Sequence, residues 1–192
     1  WAFSIGVQAY IWGYPIVECW KDRQKKTWAV NDTENKSESA SNTINKFRHV
    51  RKLSTHESSE FVNAATDFLY STAVVDLSHG SAVLNAGNFG GRWYGIQILD
   101  AYMETLANYG ARTVGQQIPS VILTTKSKQT DFAGDAVVVE SEIDYVYIVV
   151  RIAVDPNKNL AETHALQDSL SLQLLNTNVE NKESVWLITT PK

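Results

Sequence analysis

Several charged and phenolic side chains fall within one stretch of alternating sequence, residues 91–102 (GRWYGIQILDAY). Every second side chain of an extended strand projects from the same face, so we expect Arg92, Tyr94, Asp100 and Tyr102 to share one. Arginine donates paired hydrogen bonds to carboxylates, and tyrosine combines an apolar ring with a hydroxyl. This polar-aromatic face could bind a sugar or a carboxylate. The alternative is a structural ion pair beneath aromatic packing.

Further polar residues extend this candidate site. Asp67 and Tyr70 begin the first alternating segment, and Arg112 follows a turn that would deliver it to the edge of the sheet. If these side chains line one cleft, opposed charges would shift one another's pKa and a carboxylate could act as a general base. The predicted ligand-binding residues are Tyr70, Arg92, Tyr94, Asp100, Tyr102 and Arg112.

A histidine and an aspartate lie one helical turn apart at His164 and Asp168. A contact between them would raise the pKa of the imidazole and orient its ring. A surface ion pair on the helix is the alternative. The catalytic candidates of an enzyme are Asp67, Asp100, His164 and Asp168.

The common catalytic signatures are absent from the sequence. It contains no phosphate-binding or dinucleotide-binding glycine motif, no nucleophile elbow and no His-Glu-x-x-His motif. The four histidines do not have metal-ligand spacing, and the single cysteine, Cys19, excludes a disulfide framework or a multi-cysteine zinc site. We therefore predict no cofactor and no metal, with Cys19 as a packing residue.

Length and composition predict one ordered domain spanning residues 1–192. The chain is 44% hydrophobic and 20% charged, which is typical of a globular protein with its own core. A net charge of −4 gives no general attraction for polyanions, so we expect no nucleic-acid partner. No 18-residue uncharged apolar run is present, so we expect no transmembrane segment.

The first part of the chain predicts a helix followed by a loop. Apolar residues recur at helical spacing from Trp1 to about Lys26, and Pro15 predicts a kink or two abutting helices. Two interpretations of this amphipathic helix stay open: it packs on the body of the domain, or it binds a membrane surface. Residues 29–43 are predicted to form a polar surface loop, with candidate N-glycosylation sites at Asn31 and Asn35.

The rest of the chain predicts a mainly antiparallel sheet. Alternating segments lie at 67–77, 81–85, 92–102, 120–125, 136–140 and 144–154, joined by short turns that suit antiparallel neighbours. A second helix is predicted at 160–175, begun by a capping box between Asn159 and Glu162, and a last strand at 184–189. The predicted fold class is α+β, with an N-terminal amphipathic helix and a C-terminal helix packed on the sheet.

Six stretches occur together in an order that resembles the domain of unknown function 1254 family. They are 9–15 (AYIWGYP), 45–51 (NKFRHVR), 69–71 (LYS), 91–102, 110–113 (GART) and 164–168 (HALQD). The resemblance runs from about residue 9 to the C-terminus. It implies a domain of unestablished activity, often behind a signal peptide and joined to a β-rich domain of unknown function 1214. The first strand departs from the family pattern, with Thr66 in place of Asn and Phe68 in place of Thr.

These observations favour a secreted or surface-associated binding or assembly module, with a cytoplasmic location as the alternative. The polar-aromatic face would bind a carbohydrate or small molecule, or would join subunits of a homo-oligomer, filament or particle. Unpaired edge strands at 120–125 or 184–189 offer a second route to assembly. The competing hypothesis is a hydrolase that uses Asp, Arg and His for general acid-base catalysis. Convergence of those residues in one pocket would favour the enzyme.

Overall fold

The computed structural model describes residues 1–27, 44–57, 65–128, 135–155 and 160–175. Three α-helices lie in these ranges: α1 (Ala2–Thr27), α2 (Ala111–Val114) and α3 (Ala161–Asp168). The strands are β1 (Arg48–His49), β2 (Phe68–Asp76), β3 (Ala82–Asn85), β4 (Tyr94–Asp100), β5 (Thr105–Gly110), β6 (Val121–Thr125), β7 (Val137–Ser141), β8 (Tyr145–Ala153) and β9 (Ser171–Leu174). The α+β class is confirmed.

The strands form two sheets. One has the order β1-β2-β8-β4-β5 and the other β7-β6-β3-β9. All neighbours are antiparallel except β6 and β7, which confirms a mainly antiparallel fold. Strand β8 lies at the centre of the larger sheet, where it pairs with β2 from Phe68 opposite Ala153 to Asp76 opposite Tyr145.

The core lies between the two sheets because both contribute alternate apolar side chains to it. In β8, every second residue is buried: Val146, Ile148, Val150 and Ile152. The smaller sheet supplies Leu84 from β3 and Val121 and Leu123 from β6 to the same apolar cluster. Alternation with period two therefore places one face of each sheet inside the molecule.

Helix α1 runs without a break through Pro15, so the prediction of two abutting helices is wrong. Proline removes one helical hydrogen bond, and the turns that follow it are held against the larger sheet. There the Arg23 guanidinium lies 4.0 Å from the centre of the Tyr145 ring and 4.0 Å from an oxygen of Asp76. None of the helices in the described ranges is long and apolar enough to cross a membrane.

The second predicted helix is shorter than expected. Helix α3 ends at Asp168, Leu170 is buried, and Ser171–Leu174 instead forms β9 and pairs with β3. Sheet pairing therefore overrides the helical spacing of these leucines. Leu160 occupies the position before the helix and makes no side-chain capping bond. Asn159, the strand predicted at 184–189 and the loop predicted at 29–43 lie outside the described residues.

The strand predicted at 120–125 is not an edge strand. It corresponds to β6, which is paired on both sides, by β3 and by β7. Its backbone groups are therefore occupied within the sheet, and strand addition cannot take place there. The outer strands of the two sheets, among the residues that the structure describes, are β1, β5, β7 and β9.

Candidate functional site

A buried glutamine connects α3 to the edge of the larger sheet. Gln167 is fully buried, and its Nε2 donates to the carbonyl oxygens of Val50 at 3.1 Å and Tyr70 at 3.0 Å, and to Ser71 Oγ at 3.1 Å. Its Oε1 accepts a hydrogen bond from Arg51 at 3.2 Å. Every polar atom of the side chain is therefore satisfied inside the protein.

A histidine and a serine lie side by side within the same network. Nδ1 of His49 is 2.8 Å from Ser71 Oγ. Burial, followed by the positive charge of Arg51, lowers the pKa of His49 below its ordinary value, which favours the neutral imidazole. A neutral imidazole beside a hydroxyl has the chemistry of a base and a nucleophile. Ser71 is fully buried, however, so its oxygen has no exposed surface for a substrate.

Arg51 binds the two polar residues of α3 that the sequence selected. Its guanidinium donates to the carbonyl oxygen of His164 at 3.1 Å and pairs with the Asp168 carboxylate. Nε2 of His164 lies 2.9 Å from the carbonyl oxygen of Arg51. The hydrogen bond from Arg51 holds the pKa of Asp168 below its ordinary value. Both residues thus join α3 to the segment after β1.

Arg92 holds the other end of α3. It donates to the carbonyl oxygen of Ala153, at the end of β8, at 3.1 Å and pairs with Glu162 at 2.9 Å. Only 12% of its side chain is exposed. The ion pair of Arg92 is thus with Glu162 of α3, outside the predicted face, and it joins the sheet to the first turn of α3.

Asp100 builds a turn rather than extending the strand. Strand β4 ends at this residue, and its Oδ1 accepts hydrogen bonds from the backbone N–H groups of Tyr102 at 2.8 Å and Glu104 at 3.0 Å. This arrangement is the turn typical of aspartate, with Met103 at a φ of 65°. Tyr102 therefore leaves the line of β4, and its ring lies 5.4 Å from that of Trp12.

An apolar cavity of about 240 Å³ separates the second half of α1 from the larger sheet. Asp100 lies in its wall, and both hydrogen bonds described above go to Oδ1, so its other oxygen receives neither. Helix α1 contributes Ile16, Cys19, Trp20, Asp22 and Arg23 to the lining, and the sheet and its turns contribute Val74, Asp100, Ala101, Ile143, Tyr145, Val146 and Tyr147. This cavity is a partly open and almost wholly apolar space, and Asp100 is among the residues that line it.

The remaining predicted residues do not join this cavity. Tyr94 is buried in the core, where its ring stacks on Phe89 at 3.8 Å and its hydroxyl donates to Gly115, and burial raises its pKa. Tyr70 accepts a hydrogen bond from the backbone of Ala65. Asp67 and Arg112 are exposed, before β2 and on α2. The predicted face is thus divided among the core, a turn and the surface.

Sequence reasoning missed the residues that hold the polar network together. Arg51, Ser71 and Gln167 all lie in stretches that suggested the family, but their side chains were given no role. The signal was the co-occurrence of those stretches, which the fold brings into contact. In the described part of the chain, no group of three or more His, Cys, Asp or Glu side chains is arranged to hold a metal ion.

These features define a two-sheet α+β domain with a buried polar network beneath its C-terminal helix. The chain belongs to the family described as "Protein of unknown function (DUF1254)", whose model matches residues 44–174. The match includes the polar network and β2 to β9. It leaves out α1 and therefore the first of the six stretches, at 9–15.

Solved structures that are similar to this chain include the following two. The VPA0106 protein from Vibrio parahaemolyticus is 19% identical, with a TM-score of 0.66, over 87% of this chain and 37% of that one. An uncharacterised protein from Burkholderia cenocepacia is 12% identical, with a TM-score of 0.43, over 92% of this chain and 54% of that one. The chain thus spans little more than a third of the length of the Vibrio protein. No curated protein matches it.

Proposed function

We propose that this domain is a binding module that takes a small apolar or amphiphilic molecule into the cavity under α1. The supporting observation is a partly open, almost wholly apolar space of about 240 Å³ that Asp100 helps to line. An apolar cavity of about 150 Å³ can hold benzene, so a single ring with a short substituent would fit. An amine or hydroxyl on that ring could donate to the Asp100 oxygen that the turn leaves unused.

A wider depression of about 580 Å³ lies on the smaller sheet, lined in part by Val83 and Ile122. Two other lining residues, Asp135 and Leu175, adjoin residues outside the described ranges. The lining of the cavity under α1 is described throughout, and it contains a residue that the sequence selected for ligand binding. We therefore place the proposed binding site in the smaller cavity, under α1.

The arrangement of the remaining polar residues supports binding over catalysis. The residues that a hydrolase would need are dispersed: Asp67 is exposed, Arg92 pairs with Glu162, and Asp100 forms a turn. Ser71, which lies beside a neutral imidazole, is enclosed. The hydrolase hypothesis stays a prediction, and it would require a rearrangement that exposes Ser71.

Binding of toluene and benzylamine, measured by calorimetry, tests the proposal. We expect both compounds to bind. Asp100→Asn should weaken the binding of benzylamine by about tenfold, because a charge-assisted hydrogen bond is lost, and should leave the binding of toluene unchanged. Asparagine keeps an oxygen that can accept the two backbone bonds of the turn. The proposal fails if neither compound binds, or if Asp100→Asn weakens toluene as much as benzylamine.

A variant that fills the cavity provides a second arm. Cys19→Phe should abolish binding of both compounds, since the added ring would occupy the cavity. Val137→Phe is the matched control, because Val137 lies on β7, is 41% exposed and does not line the cavity. Unchanged binding by the folded Cys19→Phe protein would place the ligands elsewhere and overturn the assignment.

We further propose that the module acts outside the cytoplasm, in a secreted or surface-associated protein. The support is the pair of N-glycosylation motifs at Asn31 and Asn35 and the signal peptides that the family resemblance implies. The mass of the denatured chain from its natural source tests this. Hexose-sized increments that disappear in Asn31→Gln/Asn35→Gln would agree with export, and an unmodified mass would count against a glycosylated form.

A further inference from the structure

Helix α1 carries a second apolar face that does not pack on its own sheet. Phe3, Val7, Tyr10, Tyr14 and Val17 are spaced alternately by four and three residues, and each is between 41% and 84% exposed. This spacing places all five on one side of a helix, as in the a and d positions of a heptad. We call these five residues the α1 seam.

The α1 seam lies on a different side of the helix from the residues that contact the domain. Trp12 contacts Tyr102, while Ile16 and Trp20 line the cavity. At 100° per residue, Trp12, Ile16 and Trp20 lie about 180°, 140° and 100° around the helix from the centre of the seam. The exposed face is therefore separate from the proposed ligand cavity, and neither proposal depends on the other.

The seam has the chemistry of a helix–helix contact. Residues 1–17 contain no Asp, Glu, Lys or Arg, so two copies of the seam would bring no like charges together in either orientation. A helix that lies on an anionic membrane instead carries lysine or arginine on its polar face. The absence of such side chains over the length of the seam favours a second helix over a lipid surface.

Two glycines beside the seam point to the same partner. Gly6 and Gly13 stand next to Val7 and Tyr14, at the position that flanks each a residue of a heptad. Glycine is unfavourable inside a helix. A methyl group added at either position would meet no atom of the described chain within 4 Å. Packing within the domain therefore does not require these glycines, whereas a close neighbouring helix would use the space that they leave.

The exposed area suits a weak dimer. Since a buried aromatic side chain contributes about 150–250 Å², the exposed parts of the five seam side chains amount to roughly 600 Å² per copy. Specific protein interfaces bury about 800 Å² per partner, with a lower limit near 600 Å². We propose that two copies of this chain associate through the α1 seam, as a weak symmetric helix pair.

Sedimentation equilibrium at rising concentration tests the proposal. We expect the mass to rise from 21.4 kDa towards twice that value, and Tyr10→Ser/Tyr14→Ser to weaken association by at least about tenfold, because most of the aromatic contact area is lost. Ile5→Ser is the matched control, since Ile5 is 55% exposed and lies off the seam. A mass of one chain at every concentration would overturn the proposal, as would a dimer unaffected by the double variant.

Gly13→Ala keeps the test decisive if the double serine variant fails to fold. Alanine should raise the melting temperature of the monomer, because it favours the helix, while it weakens the dimer by obstructing close approach. If Gly13 served only the fold of the monomer, Gly13→Ala would not raise the melting temperature while weakening the dimer. Unchanged or tighter association in Gly13→Ala would contradict the proposal, and so would binding of the monomer to phospholipid vesicles through the same tyrosines.

Discussion

Gln167 and Thr163 show two different outcomes for a buried polar side chain on one short helix. Gln167 makes hydrogen bonds to two different segments of the chain, 50–51 and 70–71, whereas Thr163 Oγ1 is buried without a hydrogen-bond partner. An unsatisfied buried hydroxyl destabilises a protein, and a satisfied amide specifies one arrangement. At the scale of single residues, Gln167 is thus the side chain that fixes how α3 meets the sheet.

Replacing Gln167 by leucine should lower the free energy of unfolding by about 2–4 kcal/mol, because the Val50 carbonyl, the Ser71 hydroxyl and the Arg51 guanidinium each lose a hydrogen-bond partner. Urea unfolding monitored by circular dichroism measures this change. Ala165→Leu is the matched control on the exposed side of α3, where a change within about 0.5 kcal/mol is expected. Equal losses for the two variants would show that the hydrogen bonds of Gln167 contribute nothing specific.

His49 should make the stability of the domain depend on pH. Its pKa in the folded protein lies below the ordinary value of 6.5, so the unfolded chain binds more protons below that pH. The contribution of His49 to the free energy of unfolding is therefore complete above about pH 6.5. It is lost as the pH falls from 6.5 towards the lower pKa that His49 has in the folded protein.

The free energy of unfolding of His49→Gln should accordingly change less between neutral and mildly acidic pH than that of the wild type. His56→Gln serves as the control, because the side chain of His56 is 91% exposed. Urea titrations across this pH range give the comparison. If wild type and His49→Gln lose stability in parallel, the burial of His49 does not govern the acid response.

At the scale of elements, α3 is a short helix held at both ends by arginines from elsewhere in the chain. Arg92 reaches its first turn through Glu162, and Arg51 reaches its last turn through Asp168. A helix of two turns is not stable alone in water. These contacts, together with Gln167, explain why eight residues remain helical between β8 and β9.

Arg51→Met should destabilise the domain more than Asp168→Asn does. Arg51 also donates to the buried Gln167 and to the carbonyl oxygen of His164, whereas Asp168 is 61% exposed and its ion pair is weakened by solvent. We expect a loss of about 1–3 kcal/mol for Arg51→Met and less than about 1 kcal/mol for Asp168→Asn. Denaturant titrations of the two single variants measure both losses. Equal losses would mean that the exposed ion pair is the only contact that matters.

At the scale of the whole molecule, strands with one buried face were predictable from their sequence. Alternation placed β2, β3, β4, β6, β7 and β8 within about two residues of their observed bounds, because the pleat imposes period two wherever one face is buried. Strand β5 was missed because most of its side chains remain partly or fully exposed. Strand β9 was predicted as a helix because its leucines also fit helical spacing.

The candidate site was less predictable than the fold, because its contacts join distant parts of the chain. Arg51 lies 116 residues from Gln167, and Arg92 lies 70 residues from Glu162. Spacing along the sequence identified Asp100, His164 and Asp168 as polar residues with chemical potential. It could not show that Arg51 binds the last two residues, nor that Asp100 would form a turn beside a cavity.

The central position of β8 has a consequence for how this protein is made. Both of its neighbours, β2 and β4, precede it in the chain, and β2 must wait for partners as far along as Ala153. On the ribosome, β2 and β4 therefore emerge with one edge each unpaired until β8 follows, a state that favours aggregation and capture by chaperones. The centre of the larger sheet can therefore form only after β8 has left the ribosome.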